Sequence, residues 1–482
     1  MASIKKNFAY NILLNLSNVL FPFITGPYTA RVLEPDGIGL ASFAGNYAGY
    51  FVLFTGMGYS AYSLREVAKL REDRTERQRF VGQMFTLLMI NACIIYSIYI
   101  GTIFLIPQMR EYLIIYLIAG TSILFVPFNI QWYFEGMERF GFTTSRNLII
   151  RCCAIVALFI FVKSKSDLYI YMILNLISTV GSVFWSILEM KRDGVVLKIE
   201  NTGIRRHYKP MLVLFASYVA ISIYTMIDTL MLGIMSDYSE VGYYRNATSI
   251  AKTVLAVVTS LSAVAVPRVA YYVKQKDFEA MNQLILKSFR IISFLAIPSM
   301  VGLICIAPTF VPLFYGEAFR QATVPLMIMS GVIVAIGFNN LTGVQILIGM
   351  GFDKLFLKCV LVGSFSNFAM NLALIPLLGA SGAAASSVAA ESLILLATIV
   401  CVRKNTMLRF RHIGLDIFKS TFASLLFIPI AIGIGRVMDG WPSVFAIIAS
   451  CALVYPLAQK LMKSDGYEMI ASVLFNFLKL RK

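Results

Sequence analysis

The chain has 482 residues, 58% of them hydrophobic, and a formal net charge of +17. Soluble globular chains are about 45–50% apolar, so this composition excludes a soluble domain and indicates a polytopic membrane protein. The positive charge does not indicate nucleic acid, because the basic residues gather in alternate loops, as positive-inside topology requires.

A helix crosses hydrocarbon in roughly 20 mostly apolar residues. On that criterion the chain is all-α, with about fourteen spans at 8–30, 40–62, 81–106, 112–134, 146–163, 168–188, 211–235, 245–267, 289–310, 324–346, 354–377, 382–402, 415–436 and 443–462. The start, MASIKKNFAYNILLNL, lacks a small-residue cleavage site and reads as a retained first helix, not a signal peptide. The span at 146–163 is the weakest, since it begins with Arg146 and Arg151. Dense basic clusters lie between Arg65 and Arg79, between Lys191 and Lys209, and at Arg403–Arg411, whereas the intervening breaks carry one or two basic residues each. This asymmetry predicts cytoplasmic N- and C-termini. The tail 466–482 spaces apolar residues helically between basic ends and reads as an interfacial helix. His207 and His412 fall in basic inner loops and are expected at the surface. The seven cysteines have neither metal-ligand spacing nor a disulfide pattern. No metal, cofactor or Gly-rich nucleotide motif is expected.

Two breaks resemble each other. ARVLEPDGIGLASFAGNYAGYF follows the first span and LGIMSDYSEVGYYRNATSIAKT the seventh. Each passes an acidic turn and a glycine, then enters a helix rich in small and polar residues. The repeat predicts two pseudo-symmetric six-helix bundles around a central cavity, 1–209 and 210–414, plus a C-terminal hairpin and amphipathic tail, 415–482. Repeated bundles with a site at their interface are a common transporter plan.

Ionisable residues inside spans are costly and usually face a partner or a wet cavity. Asp228 and Lys252 lie at similar depth on consecutive antiparallel spans, either as a structural salt bridge or as lining of a path. Glu391, in GAAASSVAAESLILLATIV, either titrates during transport or pairs with a neighbouring helix. Polar stripes run at helical spacing on several spans: Asn11, Asn15 and Asn18 on the first, Asn339 to Gln345 on the tenth, and Ser364, Asn367 and Asn371 on the eleventh. Small and polar residues also mediate ordinary helix packing in lipid. One hydrophilic cavity would explain the stripes together. It makes Asn15, Asn18, Asn339 and Asn367 candidates for its lining, and Asp228 and Glu391 candidates for coupling to H+ or Na+.

PYTARVLEPDGIG, QWYFEGMERFGFTTSRNLIIR, IDTLMLGIMSDYSEVGYYRNATSIAK, GFNNLTGVQILIGMG and NLALIPLLGASGAAASSVAAE resemble, in order and over almost the whole length, the Wzx-type polysaccharide flippases of the multidrug/oligosaccharidyl-lipid/polysaccharide (MOP) exporter superfamily. The resemblance implies an alternating-access transporter of the bacterial inner membrane. Its cargo would be an oligosaccharide linked to undecaprenyl pyrophosphate, for O-antigen, capsule or exopolysaccharide synthesis. It implies a cationic lumen, for which Lys252, Arg31 and Arg245 are the matching basic positions, and Asp228 holds the acidic position of the seventh helix. It further implies a monomer working beside a polysaccharide polymerase and a chain-length regulator. Rival readings are a multidrug cation antiporter, a peptidoglycan-precursor flippase and, from another class, a membrane polysaccharide polymerase. The short outer loops disfavour the last.

Overall fold

The computed structural model describes residues 4–260, 262–406 and 413–479, and no strand occurs among the described residues. The chain divides into two compact units, Met1–Gly233 and Ile234–Lys482.

The first unit comprises α1 (Ile4–Gly56), α2 (Tyr59–Lys69), α3 (Arg74–Leu105), α4 (Pro107–Glu111), α5 (Leu113–Phe125), α6 (Gln131–Gly136), α7 (Phe140–Phe161), α8 (Leu168–Arg192) and α9, which runs Arg205–Met235. Helix starts follow local chemistry. Asp73 caps α3 by accepting from the Glu76 N–H at 2.9 Å, which satisfies one of the orphan donors at a helix N-terminus. Ser164 and Asp167 form a capping box in the turn before α8. Helix α1 bends at Glu34, where φ is 56°; Pro35 follows, and a residue before proline is driven out of helical ψ. Glu34 is held there by an ion pair with Lys165 in the turn before α8.

Apolar burial supplies the interior. Tyr62, Phe80, Met84, Trp132 and Tyr133 form a cluster joining α2, α3 and α6. Tyr99 lies against Gly120, where any Cβ would overlap its ring, and its hydroxyl donates to the Tyr116 carbonyl at 2.6 Å. Hydrogen bonds also tie the basic segments to one another: Arg71 to the Gly136 carbonyl at 2.8 Å, Arg74 to the Gly194 carbonyl at 3.0 Å and Gln78 to the Val196 carbonyl at 2.8 Å. The segments between α2 and α3, α6 and α7, and α8 and α9 therefore meet at one end of the unit, as alternate crossings require.

His207 corrects an expectation. It is buried, at 3% exposure. Tyr62 Oη lies 2.7 Å from its Nδ1 and Gln83 Oε1 lies 2.9 Å from its Nε2. The ring therefore donates through Nε2 to the Gln83 oxygen and accepts the Tyr62 hydroxyl at Nδ1. The run RRHYK looks solvated in the sequence, but the histidine turns inward in the first turn of α9, ahead of the apolar run. Burial, aided by the neighbouring Arg206 charge, pushes its pKa down to about 4. Because the folded value lies below the unfolded one, this contribution to stability is complete above about pH 6.5 and is lost as pH falls toward 4. The melting temperature of the purified protein is expected to fall between pH 7 and pH 5, and to fall less in His207→Gln. An unchanged slope in the variant would refute the buried neutral ring. His412 lies outside the described residues.

The second unit comprises α10 (Tyr238–Thr259), α11 (Ser262–Gln275), α12 (Phe278–Tyr315), α13 (Thr323–Met329), α14 (Gly331–Asn339), a π-helix at Asn340–Ile348, α15 (Asp353–Asn405), α16 (Ile413–Leu425), α17 (Phe427–Gly435), α18 (Gly440–Leu461) and α19, which runs Asp465–Lys479. Helix α12 is its hub, packing against α11, α14, α16 and α18. Val301, Phe427, Ile447 and Tyr455 seal the C-terminal helices onto it. Helix α15 bends at Gly379, with φ 54° and ψ −128°, a conformation open to glycine alone in practice. Glu240, at the start of α10, accepts the Ala380 N–H there at 2.6 Å. Each unit thus uses a glutamate near its first turn to hold a later one.

Ten helices among the described residues are long and apolar enough to cross a membrane, against about fourteen expected. Two of the ten hold the bends in α1 and α15, each of which separates a pair of predicted spans. Helix α10, where Glu240, Arg245 and Lys252 dilute the apolar run, is not among the ten, and within α9 the search of the described residues covers the apolar stretch Thr225–Met235.

Candidate functional site

The structure places the expected residues in different settings. In the first unit Asp228 is buried on α9, within electrostatic range of the Tyr50 hydroxyl, and Arg31 is exposed on α1. Asn15 and Asn18 lie outside the residues whose side chains are described. In the second unit Lys252 and Arg245 are both exposed on α10.

Asn339 and Glu391 are brought together. The Asn339 amide donates to the Glu391 carboxylate at 2.7 Å and to the Glu391 carbonyl at 3.0 Å, joining α14 to the second half of α15. One turn on, the Thr342 and Thr398 hydroxyls meet at 2.8 Å. The polar stripe of the tenth span therefore faces another helix of its own unit. The π-helix begins at the residue after Asn339, a widening often found at functional sites. Asn339 Oδ1 is buried and accepts no hydrogen bond. Asn367 is buried elsewhere on α15, receiving a bond from Asn371 at 3.4 Å.

A polar cavity lies within the first unit, on residues that the sequence reading passed over. A space of about 480 Å³ opens between α5, α6, α7 and α8, and a second of about 500 Å³ opens between α1, α7 and α8. Arg151, Ser178 and Thr179 line both, so the two adjoin. Each falls in the roughly 300–1,000 Å³ range of ligand pockets. Arg146, 3% exposed, lines the first. Its guanidinium donates to Asn147 Oδ1 at 2.8 Å, to Gln131 Oε1 at 3.4 Å and to Ser186 Oγ, and it stacks on Phe142 at 5.7 Å. Arg151 donates to Ser17 Oγ at 3.3 Å and stacks on Phe21 at 5.8 Å. Among the described residues neither guanidinium has a carboxylate within ion-pairing distance. Glu135 interacts with Arg146 across a gap and accepts its own hydrogen bond from Gln131 at 2.8 Å. The signal for this site was present in the sequence: two arginines five apart on one apolar helix, and Asn175, Ser178, Thr179, Ser182 and Ser186 at helical spacing on the next.

No group of three or more His, Cys, Asp or Glu able to hold a metal occurs among the described residues. Hydrogen-bonding groups instead line membrane-embedded space, as transport demands. A polysaccharide biosynthesis protein family model matches residues 4–273, more than half of the chain. The chain belongs to that family. A second model, MatE, matches residues 214–373. The "Putative O-antigen transporter" of Escherichia coli (strain K12) is 25% identical over 419 residues, covering 84% of this chain and 98% of that protein. Its namesake in Shigella dysenteriae is 22% identical over 403 residues, covering 83% and 100%. Among solved structures, the inward closed form of the lipid II flippase MurJ superposes with a TM-score of 0.73 at 14% identity, covering 94% of this chain and 98% of MurJ. An inward-facing multidrug resistance MATE transporter of the MOP superfamily gives 0.60 at 13% identity, covering 83% and 95%. The family member described here is thus a multi-pass membrane protein on the fold shared by the MOP-superfamily transporters.

Proposed function

We propose that the protein flips an oligosaccharide linked to a polyprenyl pyrophosphate, such as undecaprenyl pyrophosphate, from the cytoplasmic to the outer face of the bacterial inner membrane, by alternating access. The observation that carries the reading is the hydrophilic, cation-lined cavity inside a membrane-embedded unit of a polysaccharide biosynthesis protein. A glycan bearing a pyrophosphate cannot cross roughly 30 Å of hydrocarbon unshielded. Fixed cations attract the pyrophosphate, amides and hydroxyls bind the sugar, and the polyprenyl tail remains in lipid. Lys252, with Arg245 and Arg31 nearer the helix ends, serves as a cationic contact for the cargo. Asn15, Asn18 and Asn367 contribute hydrogen bonds. The O-antigen transporter relatives support a glycan cargo over a drug cation, and so does the cavity, since a cation antiporter would favour carboxylates over guanidiniums.

In a strain lacking the gene, lipid-linked oligosaccharide is expected to accumulate on the inner leaflet while surface polysaccharide disappears. Restoring the gene reverses both. Unchanged surface glycan together with new sensitivity to cationic dyes would favour the antiporter.

Glu391 is the proposed coupling group, with Asp228 the alternative. Its carboxylate and the unbonded Asn339 Oδ1 offer oxygens to a proton or Na+ beside the π-helix. Glu391→Gln is expected to leave folding intact and to abolish the response of export to an imposed proton or Na+ gradient in everted vesicles. A variant as gradient-driven as the parent would assign coupling elsewhere.

A further inference from the structure

We propose that the adjoining cavities of the first unit form a binding site for a glycosyl phosphate, with Arg146 and Arg151 holding the phosphate and the α8 hydroxyls holding the sugar. The argument begins with unspent donors. A guanidinium has five N–H groups. Arg146 places four of them on Asn147, Gln131 and Ser186, and Arg151 places one on Ser17. One N–H of Arg146 and four of Arg151 remain for another acceptor. Every acceptor these arginines use is a neutral oxygen. Among the described residues Glu135 alone of the carboxylates acts on Arg146 and none acts on Arg151, so the two cationic charges exceed the acidic one. A charged side chain within a span costs a few kcal/mol, and a structural role in joining helices would be met more cheaply by a neutral amide. An excess of cation in a polar cavity is suited to an anion, and the planar fork of arginine suits phosphate oxygens in particular.

The opposite wall has the complementary chemistry. On α8, Ser178 donates to the Leu174 carbonyl at 2.9 Å, Thr179 to the Asn175 carbonyl at 3.1 Å and Ser186 to the Ser182 carbonyl at 2.7 Å. With their protons spent on their own helix, Ser178 and Thr179 present lone pairs to the cavity, while Ser186 turns one of its own to Arg146. They serve as acceptors, poorly suited to a phosphate and well suited to donating sugar hydroxyls. Donors on α7 and acceptors on α8 therefore select a ligand that joins an anion to a polyol. Arg146 and Arg151 lie about 7.5 Å apart along the axis of α7, so a phosphate engaged by Arg151 leaves its sugar beside Ser178 and Thr179, which line both cavities.

Such a ligand has two sources: a soluble sugar phosphate, or the sugar–phosphate junction of a lipid-linked oligosaccharide. The second assignment rests on the transport reading above. The test titrates purified full-length protein with glucose 1-phosphate, inorganic phosphate and a polyprenyl-diphosphate-linked hexose, following thermal stabilisation. Glucose 1-phosphate is expected to bind more tightly than inorganic phosphate. Arg151→Gln should weaken it roughly tenfold or more, the size of a lost charge-assisted pair, while Arg151→Lys retains most of the affinity. Ser178→Ala combined with Thr179→Val should reduce the preference for the sugar phosphate without weakening inorganic phosphate. Arg151 is only partly buried, so its variants test the site even if Arg146→Gln fails to fold. Tight binding of the lipid-linked hexose that ignores both arginines would remove this site and leave the transport reading standing. Binding of glucose 1-phosphate through Arg151, without any binding of the lipid-linked hexose, would keep the site and assign it to a soluble ligand. If no probe binds, or if Arg151→Gln binds every probe as the parent does, the proposal is overturned.

Discussion

Lys252→Ala is expected to reduce surface glycan by tenfold or more in a strain lacking the native gene, while Lys252→Arg retains much of it. Lys252 is an exposed ammonium on α10, within a run that carries only Glu240 and Arg245 as other charges. An ammonium retained merely for an ion pair could be removed together with its partner at little cost, because a pair with an exposed member is worth only about 0–1 kcal/mol. A cargo ligand cannot be removed that way, since the pyrophosphate would then lose one of the fixed charges that hold it. Arginine preserves the charge and adds a bidentate fork. The readings separate in Asp228→Asn with Lys252→Met, scored as surface glycan against membrane-protein abundance. Normal protein level with low export identifies Lys252 as a ligand. Full export in the double variant would rule that role out.

Gly379→Val is expected to be the most damaging single change in the second unit, lowering the melting temperature by many degrees or preventing accumulation. At φ 54°, ψ −128° a β-branched residue is strongly disfavoured. A Cβ at this position would also run into the Glu240 carboxylate, which accepts the Ala380 N–H. Glu240→Ala removes only the cap and should cost about 1 kcal/mol, a shift of a few degrees or less in a chain of this size. A melting curve of Gly379→Val that matched the parent would show that α15 can pass this point as an unbroken helix.

Much of the architecture was legible because lipid imposes it. Apolar runs of fixed length and alternating loop charge are physical necessities, and both appear in the residue order without tertiary knowledge. The family motifs were legible for the same reason that single polar residues were not: a motif spans many positions, while one asparagine reads equally as packing or as lining. Asn339 illustrates the ambiguity, since only tertiary structure shows its amide turned toward Glu391. Arg146 and Arg151 weakened the fifth span in a hydropathy reading, so they registered as doubt about a helix instead of as evidence for a cavity. Their meaning depends on the hydroxyls of α8, which periodicity alone does not bring opposite α7. His207 was misread because its sequence neighbours are cationic while its spatial neighbours, Tyr62 and Gln83, lie more than 120 positions away.

The glutamate contacts at the two bends bear on how the chain is made. Glu34 finds its partner in Lys165, 131 positions later, and Glu240 finds the Ala380 N–H 140 positions later. At roughly 5–20 residues per second, a nascent Glu34 waits roughly 7–26 s for Lys165 to be synthesised. Each half of the protein must therefore enter the bilayer with its first turn still unfastened, and the insertion machinery or the lipid headgroups must accommodate that carboxylate until the later bend or turn that holds its partner arrives. A ribosome stalled shortly before Lys165 would hold a set of spans that are already inserted but not yet closed, in which a cysteine at position 34 should remain open to water-soluble reagents.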